Sequence, residues 1–183
     1  WKFHYARNYG SAISGFEKEE YCCRDWDDIR VPAHIQMEGY DAPQYANVQY
    51  PWEGHEDIHP GEIPEHFNPV ASYVKYFEVP EEMQGKRLFI SFQGAESGIA
   101  LWLNGQFVGY SEDSFTPSEF ELTEYVKEGE TNSQHRCLNG QQAVGVRIRI
   151  FTVSLEFTEM FIFIPCRRFM FMIFRFVQSR MKL

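Results

Sequence analysis

Short alternating runs, each closed by glycine, asparagine or proline, fill the first two-thirds of this chain, and no long helical hydrophobic period interrupts them. That pattern confines the fold to β-structure. Residues 1–6 alternate large and polar side chains and read as an opening strand. Residues 70–79 (V-A-S-Y-V-K-Y-F-E-V) alternate well and stop at Pro80. Residues 86–93 form a third candidate strand between Gly85 and Gly94. Residues 99–103 and 106–110 flank Asn104-Gly105, a hairpin signal, because both central residues of a type I′ turn need positive φ. A short strand is expected at 118–122, with room for one helical turn at 123–127. Short strands at this spacing predict a β-sandwich or jelly roll.

The chain has 183 residues, enough for a real core in one domain of ordinary size. With 44% hydrophobic and 23% charged residues the composition is globular. A net charge of −9 argues against nucleic acid as a partner, since phosphates need a basic face. No uncharged apolar run approaches the ~20 residues of a membrane helix. The first residue is Trp1 rather than Met, which reads as a cut N-terminus, and no signal peptide is visible. Cys22, Cys23, Cys137 and Cys166 form no C-x-x-C pair, so free thiols in a reducing, cytoplasmic compartment are expected.

The averages hide a break. Residues 1–132 hold 24 acidic and 9 basic side chains, whereas residues 133–183 hold 2 acidic and 8 basic ones. Every Asp, Trp and Tyr lies in the first part, and the second has eight Phe. One evolved domain rarely changes its vocabulary so abruptly.

Between 31 and 67 lies a long, proline-rich stretch bearing Tyr40, Tyr45, Tyr50 and Trp52. Loops of this length are usually functional or disordered. Its rings offer flat faces to sugar C–H groups, or else they pin the loop to the sandwich. His55, His59 and His66 invite a metal reading, but Gly54, Pro60 and Gly61 oppose the helix that would put His55 and His59 on one face. Solvated loop histidines are the expectation. Glu112-Asp113 and Asp27-Asp28 are adjacent pairs, and strand neighbours point to opposite faces, so they make poor acid–base partners. No nucleophile elbow, P-loop or dinucleotide fingerprint is present. The residues alone therefore lead to an all-β sandwich with an aromatic-rich loop.

Two longer blocks go further. Residues 31–51 read V-P-A-H-I-Q-M-E-G-Y-D-A-P-Q-Y-A-N-V-Q-Y-P. This resembles V-P-S-x-W-Q-x-x-G-Y-D-x-P-x-Y-T-N-V-x-Y-P of the bacterial β-galactosidases of glycoside hydrolase family 2. Ile35 stands where that family has Trp, and Ala46 where it has Thr. Residues 92–122, F-Q-G-A-E-S-G-I-A-L-W-L-N-G-Q-F-V-G-Y-S-E-D-S-F-T-P-S-E-F-E-L, are similar to a second family block. The resemblance implies a jelly-roll, galactose-binding-domain-like sugar-binding domain over 1–132. It implies hydrolysis of terminal β-D-galactosides such as lactose by a parent enzyme. Two glutamates on a later barrel act there, one as acid–base and one as nucleophile, in a retaining mechanism. This chain alone is then expected to be inactive. Asn47 matches the asparagine that approaches the bound galactoside, with Tyr45 and Trp52 beside it as weaker candidates. The resemblance further implies magnesium and sodium in the parent, the catalytic barrel as partner, and a homo-oligomer. A stand-alone carbohydrate-binding module is the alternative, its rings Trp52 and Tyr50.

The family jelly roll continues into W-x-E-D-Q-D-F-W-R-x-S-G-I-x-R-D-V, which is missing after Asn132. Reading the tail's own codons one frame over changes this. With permitted synonymous codons, residues 145–165 hide G-E-D-Q-D-F-Y-R-F-S-G-I-Y-R-D-V-Y-I-Y-S. Val146 and Arg147, as GTG and AGG, hide GAG for Glu. Residues 133–183 are therefore expected to be an aberrant, frameshifted tail in place of the closing strands. Arg147, Ile148, Arg149 and Ile150 stand where the acidic motif would be. A real basic tail for a partner or a membrane surface is the other reading.

Overall fold

In the computed structural model, the structure describes residues 1–42, 44–46, 52–59, 62–95, 98–112, 116–127, 130–138, 151–153 and 156–157. The architecture is an all-β jelly-roll sandwich. Twelve strands run along the described residues in chain order: β1 (Lys2–Ala6), β2 (Asp27–Asp28), β3 (Ala33–His34), β4 (Gln44–Ala46), β5 (Val70–Glu78), β6 (Phe89–Phe92), β7 (Gly98–Leu103), β8 (Gln106–Ser111), β9 (Ser118–Glu121), β10 (Glu130–Leu138), β11 (Phe151–Val153) and β12 (Glu156–Phe157). Helix is confined to two short 3-10 turns, Tyr9–Ser11 and Glu81–Met83.

Six strands form the main sheet in the order β2-β1-β5-β10-β7-β8, all antiparallel. β6 pairs with β9, β4 with β11, and β3 with β12. Alternation decides the faces. Phe3, Tyr73, Ile99, Leu101 and Leu103 point into one core, where they meet Ile35, Ile90, Phe92 and Leu122 from the opposing side. Each such side chain stabilises the fold by roughly 1.5–3 kcal/mol through burial. The other face of the sheet carries a smaller cluster. There Val74 packs with Phe16, Cys23 and Trp26 of the segment that follows β1.

The Asn104-Gly105 hairpin forms as the sequence predicts. Asn104 sits at φ 49° and Gly105 at φ 82°. Asn104 is also buried, and its Nδ2 donates to the Tyr125 carbonyl at 2.8 Å, which ties the hairpin tip to the turn after β9. That turn occupies the expected position at 123–127, with Tyr125 N–H on the Leu122 carbonyl at 2.9 Å. β6 begins at Phe89 rather than 86. The reason is local: Lys86 N–H closes a turn on the Met83 carbonyl, and Leu88 N–H donates to Thr123 Oγ1 at 3.0 Å.

The longest strand that alternation did not announce is β10. It crosses position 132 and lies in the middle of the main sheet, laddered to β5 along nine residues and to β7 along six. Residues 133–138, the first of the odd tail, therefore occupy backbone positions in a central strand. The segments 161–164 and 169–176 lie outside the described residues.

Candidate functional site

The sequence places a sugar contact in the long loop after β3, so the loop's anchorage comes first. Tyr40 holds its entry. The ring lies edge-on to Phe3 with centroids 4.6 Å apart, and 6.5 Å from the Tyr5 ring. For Tyr40 the ring is thus an anchor onto the sheet. Asp41 turns the chain at φ 58°, and its Oδ1 accepts the Ala42 N–H at 2.8 Å. Tyr45 then sits in β4, opposite Thr152 of β11. Asn47 and Tyr50 lie outside the described residues.

Trp52 opens a turn and is half-buried. Its carbonyl accepts the N–H groups of His55 at 2.9 Å and Glu56 at 3.2 Å. Glu56 then clamps the exit of the loop. Its Oε1 accepts the N–H groups of His66 at 2.9 Å and Phe67 at 2.8 Å, and Oε2 that of Glu65 at 3.0 Å. His55 stacks on the Phe67 ring at 3.9 Å. Asn68 N–H reaches the Arg7 carbonyl at 3.1 Å, which joins the clamp to the end of β1. A carboxylate with three backbone donors is a device for fixing loop geometry.

Burial opposes the charge on Glu56, but the three N–H donors and His66 outweigh it and hold the carboxyl below its ordinary value of 4.5. A depressed carboxyl contributes stability that is present above the unfolded value and lost as pH falls through the folded one. Glu56→Gln should therefore lower the melting temperature near neutral pH, and the difference from the parent chain should shrink steadily below about pH 4.5. Thermal melts of both chains across pH 3–7 check this. A difference independent of pH would show that the clamp does not depend on charge.

The other titratable groups are engaged elsewhere. His59 donates its N–H to Glu62 Oε2 at 2.9 Å, and its Nδ1 lies 3.3 Å from the same oxygen. Asp28 pairs with Lys2 at 2.8 Å. Glu112 accepts the Tyr110 hydroxyl at 2.6 Å. Among the described residues no group of three or more His, Cys, Asp or Glu is placed to hold a metal ion. Cys22 is exposed and Cys23 buried, both as free thiols. Sequence reasoning missed Glu56. Its donors lie 9 to 11 residues away in an irregular stretch, so no local pattern marks it.

The described part of the loop is thus anchored at its entry by Tyr40 and at its exit by Glu56. The family model described as "Glycosyl hydrolases family 2, sugar binding domain" matches residues 1–148. The β-galactosidase of Halalkalibacterium halodurans is 58% identical over 130 residues, covering 71% of this chain and 13% of that protein. The β-galactosidase of Clostridium acetobutylicum is 52% identical over 130 residues, covering 71% and 14%. Among solved structures, a Bacteroides uniformis β-glucuronidase superimposes with a TM-score of 0.61 at 11% identity, covering 87% of this chain and 16% of that one. At that identity the likeness is one of fold. The chain spans about an eighth of the length of these two relatives.

Proposed function

The chain belongs to glycosyl hydrolase family 2, and on that premise we propose that it is the N-terminal sugar-binding portion of a β-galactosidase acting on terminal β-D-galactosides. The observation that carries this reading is the 58% identity over 130 residues to a β-galactosidase. In such a protein the hydrolytic glutamates come from a later catalytic barrel, which is the first partner of this domain, and the assembly is a homo-oligomer of the cytoplasm. Among the described residues no helix is long and apolar enough to cross a membrane.

Asn47 is the side chain we assign to the galactoside. Its amide both donates to and accepts from hydroxyl groups. Tyr45 and Trp52 flank it in sequence and support it. The anchors at Tyr40 and Glu56 lie on either side of this stretch and support a fixed loop. Magnesium and sodium belong to the parent reading. Residues 147–150 are Arg, Ile, Arg and Ile, which supply no oxygen ligand in their side chains, so a sodium site built on an acidic motif does not fit this tail. We read residues 133–183 as the product of a shifted frame and residues 1–132 as the domain proper. The break in composition after Asn132 supports this.

A chimera tests the assignment. Residues 1–130 of this chain should replace the matched 130 residues of the Halalkalibacterium halodurans enzyme with nitrophenyl galactoside hydrolysis retained. The 183-residue chain alone should release no nitrophenol above background. A chimera that folds and assembles but is inactive would overturn the assignment.

A further inference from the structure

The outward face of the β7–β8 hairpin holds a hollow lined by described residues. Ala100 stands directly opposite Tyr110 in the ladder, and Trp102 follows two residues along the same face. The single methyl group of Ala100 leaves a low floor between two large rings. Tyr9, Ser14, Gly15 and Glu17, from the segment after β1, build the facing wall. The hollow is an open groove of about 320 Å³, at the small end of the ~300–1,000 Å³ range of ligand sites.

Both walls are held in place. The Trp102 indole is braced edge-on by Phe16 at 6.0 Å and by Phe107 at 5.5 Å. Tyr110 is fixed by its hydroxyl bond to Glu112. Tyr9 starts a 3-10 turn held at its start by a reciprocal capping box, Ser11 N–H on Asn8 Oδ1 at 2.8 Å and Asn8 N–H on Ser11 Oγ at 3.4 Å, and at its end by Ala12 N–H on the Tyr9 carbonyl at 3.1 Å. Tyr9 is nonetheless 61% exposed and Tyr110 43% exposed, so their rings present area to a visitor.

The chemistry of the lining selects that visitor. Of the lining side chains only Glu17 is charged, which disfavours an anion. The rest are aromatic faces and hydroxyl groups. Ala100 pairs with Tyr110 and Trp102 with Phe107, and the register shifts between Leu101 and Trp102, so Trp102 and Tyr110 stand on separate rungs as two walls of the hollow and offer faces to a flat ligand better than to a point cation. A slot with apolar walls, hydroxyls and one acceptor carboxylate matches a flat ring with C–H faces and hydroxyl edges. We propose that this groove is a binding site for one neutral pyranoside ring, stacked by Trp102 and Tyr110 and hydrogen-bonded by Glu17 and Ser14. The site is built without the Asn47 loop, so it stands or falls separately from the galactoside assignment.

The test is a titration of the monomeric fraction of the 183-residue chain, isolated by size exclusion, with methyl β-galactopyranoside and methyl β-glucopyranoside, followed by NMR of the tryptophan indole N–H signals. Tetramethylammonium serves as the cationic control. Saturable shifts of the Trp102 signal with a sugar are expected. Glu17→Gln and Tyr110→Ser, both outside the buried core, should weaken that binding about tenfold, as loss of one charged hydrogen bond or one stacking face does. Trp52→Ala should leave it unchanged. Three results would overturn the proposal. One is no saturable shift at millimolar sugar. Another is binding lost with Trp52→Ala while the groove variants keep it. The third is a Trp102 shift produced by tetramethylammonium and by neither sugar. Melting curves of each variant separate lost binding from lost folding.

Discussion

Reading residues 133 onward in the alternative frame should turn a chain that aggregates into one that is monodisperse and unfolds cooperatively. The expectation rests on the place of β10. A central strand is laddered on both sides, so its backbone bonds form whatever the side chains are. Its register then decides whether the residue types suit the position. Ser133 stands opposite Leu103, His135 opposite Leu101 and Tyr73, and Cys137 opposite Ile99 and Ala71. Those β5 and β7 partners belong to the main core and are at most 1% exposed. A polar residue type at a register position between apolar core partners breaks the alternation of its neighbours, a mismatch worth about 1–3 kcal/mol. The tail adds a second hazard. Segments 161–164 and 169–176 are rich in Phe and Ile and low in acid, the composition that seeds strand-to-strand association. Size-exclusion profiles and thermal melts of the two chains, made at equal length, check the prediction. His135→Val in the present frame isolates the first effect and should raise stability on its own, by about 1–2 kcal/mol. A present-frame chain that is already monodisperse, with a sharp transition unmoved by His135→Val, would show that residues 133–183 form a native part of the fold.

What the sequence disclosed followed the physics of local signals. Asn104-Gly105 was legible because two successive positive φ values leave few residue choices. β1 and β5 were legible because large and polar residues alternate well enough along them to mark a strand, although residues 70–74 are buried in succession. β2, β3 and β4 were not, since strands of two or three residues carry no period and exist through distant partners such as β11 and β12. β10 reads E-T-N-S-Q-H-R-C-L, with no alternation at all, and its strand conformation is imposed by β5 and β7. The candidate site divides the same way. Its residues came from a resemblance in words, not from a pattern of chemistry. The clamp at Glu56, which fixes the exit of that loop, is a long-range arrangement of a carboxylate and backbone N–H groups and leaves no mark in the sequence.

Asn47→Ala, placed in the galactosidase chimera, should lower kcat/KM for a galactoside by about 10²-fold, which corresponds to roughly 2.7 kcal/mol. A site built to hydrogen-bond a hydroxyl is left with an unpaired partner when either member of the pair is removed. The magnitude alone does not establish contact, because a loop residue that merely shapes its own turn could also cost activity. Substrate truncation separates the two. If Asn47 contacts a sugar hydroxyl, one monodeoxy galactoside in a series should lose activity with the wild-type chimera and lose little more with Asn47→Ala. The two losses should fail to add, since they delete the same bond. If Asn47 only shapes the loop, every deoxy substrate should lose the same further factor in the variant. Glu56→Gln supplies the reference for that second pattern, because Glu56 holds backbone at 65–67 and was placed here by structure alone. Losses for Asn47→Ala that add for every substrate, matching the Glu56→Gln pattern, would remove Asn47 from the galactoside and leave it as part of the loop's frame.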